Sequence, residues 1–266
     1  MICFAAIAPH GDVEETPELR AAMEELGRRF DATEPDAAIV VTPHNVHVEG
    51  HFAVVLSARV GEHEVDRGLA ADVLAGLRAE GLPALGVSYG GNDLGEAEMP
   101  LDWGTEVPLT FLHAPRVVVV SPARDRPLAE HVRAGAALRS ATDASNRLLQ
   151  AGRTAGLAAR EASDSLLQAE RRVALIASAD HGHAHDADGP YGHDPAAARY
   201  DALVQEIVRS SRLDFEPLAA LVDAAKADSL WQLLVLQGAV GEGARAELLA
   251  YAAPTYYGML VASVTL

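Results

Sequence analysis

A chain of 266 residues with 49% hydrophobic residues can bury a substantial core, and no apolar run approaches the ~18–20 residues that a membrane-spanning helix needs. Its formal charge of −17 argues against nucleic acid and anionic membrane as partners, because phosphate recognition rests on Lys and Arg. A single cysteine, Cys3, excludes an internal disulfide and points to a reducing, cytoplasmic setting.

The first segment, Met1 to Ala8, is apolar without a basic leader and runs into Pro9-His10, so it reads as a strand and not as a signal peptide. Thr16 and Pro17 then open a helix to Phe30, with Leu19, Met23, Leu26 and Phe30 at helical spacing. Ala37 to Val41 is a second buried strand and ends in Thr42-Pro-His44. A strand–helix–strand unit favours parallel pairing of two adjacent strands, which would deliver His10 and His44 to one edge of a sheet.

Further strands are expected at Phe52–Ser57, Leu85–Tyr89 and Val117–Ser121, with a helix at Val65–Glu80. From about Pro127 to Arg172 the pattern is helical and Ala-rich, with Ser140 to Ser145 offering caps for a break into two helices, or one bent helix. Val173 to Ala177 is a buried strand that runs into Asp180-His-Gly-His183 and then His185 and His193. Helices follow over about Ala196–Arg209, Glu216–Ala224 and Asp228–Gly238, and the tail reads as helix (Gly243–Ala252) then strand (Tyr256–Val264). No repeat and no linker appears. The expected fold class is α/β: a single domain over 1–266 with a central, mostly parallel or mixed sheet flanked by helices.

The chemistry-bearing groups sit behind apolar strands or at turns: His10, His44, Asp102, and Asp180 with His183. Groups at the carboxyl ends of strands converge in open α/β sheets. Two histidines and one carboxylate form the facial set that holds Fe(II) with positions left open. A zinc hydrolase is disfavoured, because no H-E-x-x-H helix or comparable compact spacing is present. His47, His51, His63, His113 and His131 read as structural or solvated, as do His185 and His193. Of 21 basic residues the only lysine is Lys226.

Five segments together resemble the class III extradiol ring-cleavage dioxygenases, a family that includes protocatechuate 4,5-dioxygenase and the Memo-like proteins. They are Ala8-Pro-His-Gly11, Val41-Thr-Pro-His44, Leu101 to Leu109, Ala177 to His183 and Trp231 to Gly238, and their order covers nearly the whole chain. The resemblance implies Fe(II), O2 and a small catechol- or 2-aminophenol-type aromatic as substrate. It implies His10 and His44 as metal ligands, His183 as the acid/base and Asp102 as a supporting aspartate; Asp180, in the same loop, reads as the orienting partner of His183. Trp103 stands where the family's middle histidine usually lies. The family's glutamate ligand falls at or close to Lys226, an ammonium that cannot ligate a metal. Either Asp228 supplies the carboxylate through a register shift, or iron is bound weakly or not at all. The alternative is therefore a non-catalytic or metal-independent member, a partner subunit or small-anion-binding protein with Lys226 in the metal's place. The helical segment at about 127–172 is an apparent insertion, whose leucines (Leu148, Leu149, Leu157, Leu166, Leu167) could seat a second copy in a homodimer.

Overall fold

The computed structural model describes residues 1–91, 93–156 and 171–266, with the backbone alone over 144–156. The elements run β1 (Ile2–Ala8), α1 (Pro17–Ala32), β2 (Ala37–Val41), β3 (Phe52–Val55), β4 (Arg59–Val60), β5 (His63–Glu64), α2 (Arg67–Ala79), β6 (Ala84–Val87), β7 (Glu98–Met99) and α3 (Trp103–Phe111). They continue with β8 (Val117–Ser121), α4 (Leu128–Gly156), β9 (Val173–Ser178), α5 (Pro195–Ser210), α6 (Val222–Ala225), α7 (Leu230–Val240), β10 (Arg245–Ala252) and β11 (Met259–Thr265).

Eight strands form one mixed sheet in the order β10-β11-β1-β9-β2-β8-β3-β6, and β5-β4-β7 form a small second sheet. The four central strands β1, β9, β2 and β8 are mutually parallel, while β3 and β11 join them antiparallel. β2, β8 and β9 are buried at every residue and β1 at all but Cys3. That is why they read as unbroken Ala/Val/Ile runs, as strands covered on both faces do. The result is a single α/β domain.

The layer that matters for the site is α7. Its residues are apolar nearly all round and bury Leu230, Leu233, Leu234, Val235 and Leu236, which marks a helix enclosed on every side. It reaches that depth because α4 lies almost backbone to backbone against it. A Cβ at Gly238 would stand 1.9 Å from the carbonyl oxygen of Val132, and one at Gly135 2.0 Å from that of Val235. Among the described residues no helix is long and apolar enough to cross a membrane.

Three expectations change. β1 and β2 are parallel but not adjacent, because β9 pairs with both and lies between them. α4 runs unbroken through Ser140–Ser145 to Gly156, so the polar residues there do not act as caps. Gly243–Ala252 holds a strand in place of a helix: pairing of β10 with β11 from Arg245↔Thr265 to Ala252↔Met259 overrides the helix propensity of Ala, Glu and Leu. The expected docking face on the helical insertion rests on side chains outside the described residues.

Candidate metal centre and its pocket

All four central strands end on one edge, and each is followed by a polar side chain of one pocket. β1 leads to His10, β2 to His44, β8 to Arg124, and β9 to Asp180 and His183. Asp228, one residue before the N-cap of α7, comes from below. The cavity measures about 870 Å3, within the ~300–1,000 Å3 usual for small-molecule sites.

His10 Nε2 and His44 Nε2 lie 3.1 Å apart with their rings edge to face. Asp228 Oδ2 is 3.3 Å from the nitrogen of His44 and 3.7 Å from that of His10. One ligand atom from each of the three residues falls within 4.8 Å of the others.

The hydrogen-bond pattern fixes which nitrogen of His10 faces this cluster. The Ser178 hydroxyl donates to the Gly104 carbonyl, so its oxygen is left to accept from His10 Nδ1 at 3.0 Å. Nδ1 therefore carries a hydrogen, and in the neutral ring Nε2 presents its lone pair to His44 and Asp228. This is the outer support that metal-ligating histidines use.

Electrostatics favour a cation here. Burial would lower the pKa of His10, but Asp180, Asp228 and Asp102 outweigh it and raise the value to about 9. Burial likewise works to raise Asp228, yet hydrogen bonds from His10 and His44 hold it well below the usual carboxylate range. Asp180 is pushed up by burial and only partly relieved by His10. Asp228 Oδ1 is buried with no partner among the described residues. An orphaned carboxylate oxygen beside two converging imidazole nitrogens fits a divalent transition metal, and the donor set suits Fe(II).

His44 is held in place by Asp102, the N-cap of α3. The Asp102 carboxylate accepts from Thr105 N, Thr105 Oγ1, Thr42 Oγ1 and Asn45 Nδ2 at 2.8–3.2 Å, tying the end of β2 to the start of α3. It supports the site and does not line the pocket. Trp103, next in sequence and 57% exposed, lays its indole 4.6 Å from the His44 ring.

His183 faces the pocket from a strapped loop. Its N–H donates to Ala225 O, that of His181 to Gly258 O, and that of Gly182 to Asp201 Oδ1. His183 Nδ1 meets the carbonyl oxygen of His181 at 2.7 Å, so Nδ1 is the protonated nitrogen and Nε2 is free to accept. Tyr257 stacks on the ring at 5.7 Å, with Tyr191 and Tyr256 near 6 Å.

The structure thus brings His10, His44, Asp228, Asp180 and His183 together. Lys226 does not take the metal's place. It is exposed at the pocket rim and, among the described residues, has no ion-pair partner. Asp180 faces His10, accepting from its backbone N–H at 3.1 Å, and the carbonyl of His181 orients His183 instead. His185 is not solvated: its Nε2 donates to the buried Asp201 at 2.8 Å, which also accepts from Tyr251. His193 and His113 are exposed, and His131 is enclosed in the core.

Ser178, Asp201, Arg124 and the tyrosines were missed in the sequence. Arg124 was findable, because it follows an apolar strand just as His10 and His44 do. Asp201 lies inside a helix, where nothing local separates it from a surface aspartate.

An α/β sheet carrying two histidines and a carboxylate beyond its parallel strand ends defines a class of candidate mononuclear metal proteins. The family whose model matches the sequence is the catalytic LigB subunit of aromatic ring-opening dioxygenase, over residues 8–262. With nearly the whole chain matched, the protein belongs to the LigB family. A similar solved structure is an uncharacterized protein, JW3007, from Escherichia coli K12 (13% identity, TM-score 0.64, covering 99% of this chain and 100% of that one). At that identity the likeness concerns the fold. A comparison with curated proteins gives no match.

Proposed function

We propose that the protein is a ring-opening extradiol dioxygenase that uses non-haem Fe(II) and O2 on a catechol- or 2-aminophenol-type ring. The observation that carries this reading is the convergence of His10 Nε2, His44 Nε2 and Asp228 beside the free Nε2 of His183. Bound by these three residues, Fe(II) would supply the activation of O2 that a spin-paired ring needs.

The remaining steps belong to the chain's own residues. His183 Nε2 accepts a proton from a ring hydroxyl, a task suited to an imidazole near neutral pH. Tyr257 and Tyr191 beside His183 and Trp103 beside His44 line the pocket and offer aromatic surface for the ring. Asp180 and Ser178 hold His10, and Asp102 holds the β2 end that carries His44. Ring opening breaks the carbon–carbon bond beside the hydroxyls and places both atoms of O2 in the product.

The test loads the full chain with Fe(II) anaerobically, measures bound iron, then admits O2 in the presence of catechol or 2-aminophenol. The expected result is about one iron per chain and a product heavier than the substrate by two oxygen atoms. Absence of iron binding, or no oxygen uptake across a catechol and aminophenol panel, removes the proposal.

A further inference from the structure

His183 is oriented by the carbonyl oxygen of His181, which its Nδ1 meets at 2.7 Å. That oxygen belongs to the same peptide group as the N–H of Gly182. A peptide group is planar, with its C=O and N–H on opposite sides. The Gly182 N–H donates in turn to Asp201 Oδ1, also at 2.7 Å. One rigid plane therefore carries two short hydrogen bonds, from a carboxylate at one edge to an imidazole at the other. Holding the N–H fixes the rotation of that plane and with it the aim of the carbonyl.

Asp201 is itself held firmly. It lies on α5 and is 1% exposed, and neither it nor His185 lines the pocket. Its Oδ2 accepts from His185 Nε2 and from the Tyr251 hydroxyl of β10, both at 2.8 Å, which pins the carboxylate on its far side. Burial and the Asp201 carboxylate raise the pKa of Tyr251, so its hydroxyl stays a donor. The approach of α5 depends on the absence of a side chain at Gly182. A Cβ there would stand 2.8 Å from Cα of Ala197, about one turn before Asp201 on the same helix.

Resting on the dioxygenase reading above, we infer that Asp201 is the positioning residue of His183 and acts through the His181–Gly182 peptide. It keeps the hydrogen of the ring on Nδ1 and so leaves Nε2 free to take the substrate's proton. An amide group stands between carboxylate and imidazole, and no proton has to pass along the chain. Hydrogen bonds in series polarise one another, so the buried negative charge makes the His181 carbonyl a better acceptor. His185 then serves as an anchor of Asp201.

The test has two readouts on the full chain. In the iron-free protein, nitrogen–proton correlation spectra of the imidazoles report the tautomer of His183, whose signals are identified by their loss in His183→Gln. Wild type should show hydrogen on Nδ1 alone, and Asp201→Ala a mixture of both tautomers. In the Fe(II)-loaded protein, single-turnover ring opening of catechol should slow about 10- to 100-fold in Asp201→Ala at equal iron content. Asp201→Asn keeps an acceptor oxygen for Gly182 but loses the charge, and should slow the reaction about 3- to 10-fold with the tautomer retained. Added to His183→Gln, either substitution should cost no further rate, because its effect passes through His183. A purely structural role would slow both backgrounds alike and overturns the inference, as does a single unchanged tautomer in Asp201→Ala. Should that variant not fold, Asp201→Asn decides, and a rate within twofold of wild type overturns the inference. A wild-type protein that binds iron yet opens no ring removes the dioxygenase reading instead, while the spectra still decide whether Asp201 sets the tautomer.

Discussion

Ser178→Ala tests the logic of the metal centre without touching a ligand. Ser178 is fully buried on β9, with its oxygen accepting from His10 Nδ1 and its hydrogen donated to Gly104 O. Alanine removes both bonds and leaves a buried N–H and a buried carbonyl oxygen unsatisfied. Each such orphan costs about 1–3 kcal/mol, so the metal-free protein should lose roughly 2–4 kcal/mol in urea unfolding after partial relaxation. Metal affinity should fall separately. With no acceptor at Nδ1, the neutral ring of His10 is free to carry its hydrogen on Nε2, the nitrogen that faces His44 and Asp228. Loss of an outer partner of this kind costs about 10- to 100-fold in affinity, or about 1.4–2.7 kcal/mol. Calorimetric titration of wild type and variant with Fe(II) under anaerobic conditions reads the second quantity. A variant that loses stability but binds Fe(II) within twofold of wild type would refute the claim that Ser178 sets the tautomer of His10.

The roles of Asp228 and Lys226 separate cleanly: Asp228→Asn should lower Fe(II) affinity at least 100-fold by titration, while Lys226→Gln should leave it within a few-fold. His183→Gln should retain iron yet slow ring opening by about 10²- to 10⁴-fold, the range for loss of a positioned acid/base; an unchanged rate in single-turnover oxygen uptake would remove that role. Burial lowers the pKa of His131, whose Nε2 is enclosed with no hydrogen-bond partner among the described residues, and lowers that of His181 as well. Their folded values lie below the unfolded value of about 6.5, so the unfolded chain takes up these protons first, and stability falls as pH drops below about 6.5. His131→Leu should flatten that acid loss in unfolding midpoints measured between pH 7 and pH 5, and an unchanged slope would show that His131 does not contribute.

Much of the fold was legible because the central strands announce themselves. Val117–Ser121 and Val173–Ser178 are buried on both faces, and short Ala/Val/Ile runs have few other solutions. The strand ends gave His10 and His44 the same way. What the sequence left open or misread lies across breaks in the chain. Counting back from the last family segment puts the glutamate position at or close to Lys226, with Asp228 as the carboxylate only through a local register shift. The chain closes α6 with Ala227 N–H donating to Val222 O and Lys226 N–H to Asp223 O, with Lys226 at φ 55°. This is the left-handed C-terminal cap usually given to glycine or asparagine. It reverses the backbone over one residue, carries Lys226 out to the rim and returns the chain inward two residues later at Asp228. β10 failed for a different reason: its residues favour a helix in isolation, and only the partner strand β11, seven residues further on, makes a strand the better state.

The strand order explains why the site has the support it has. Neighbouring strands lie about 4.8 Å apart, so with β9 between them β1 and β2 are separated by roughly 9.6 Å. His10 and His44 must each lean across the end of β9 for their nitrogens to approach to 3.1 Å. The residues beneath that meeting point then come from β9 and its continuation, which is where Ser178 and Asp180 lie. Ala177, Ser178 and Ala179 are almost wholly buried, and anything larger at 178 would crowd the His10 ring, whose Nδ1 already lies 3.0 Å from the Ser178 oxygen. Had the two histidine strands been adjacent, as their order in the chain suggests, no third strand would lie between them to reach His10 Nδ1 from below. The crossover that brings β9 into the middle of the sheet thus supplies both the spacing of the ligands and the hydroxyl that orients one of them.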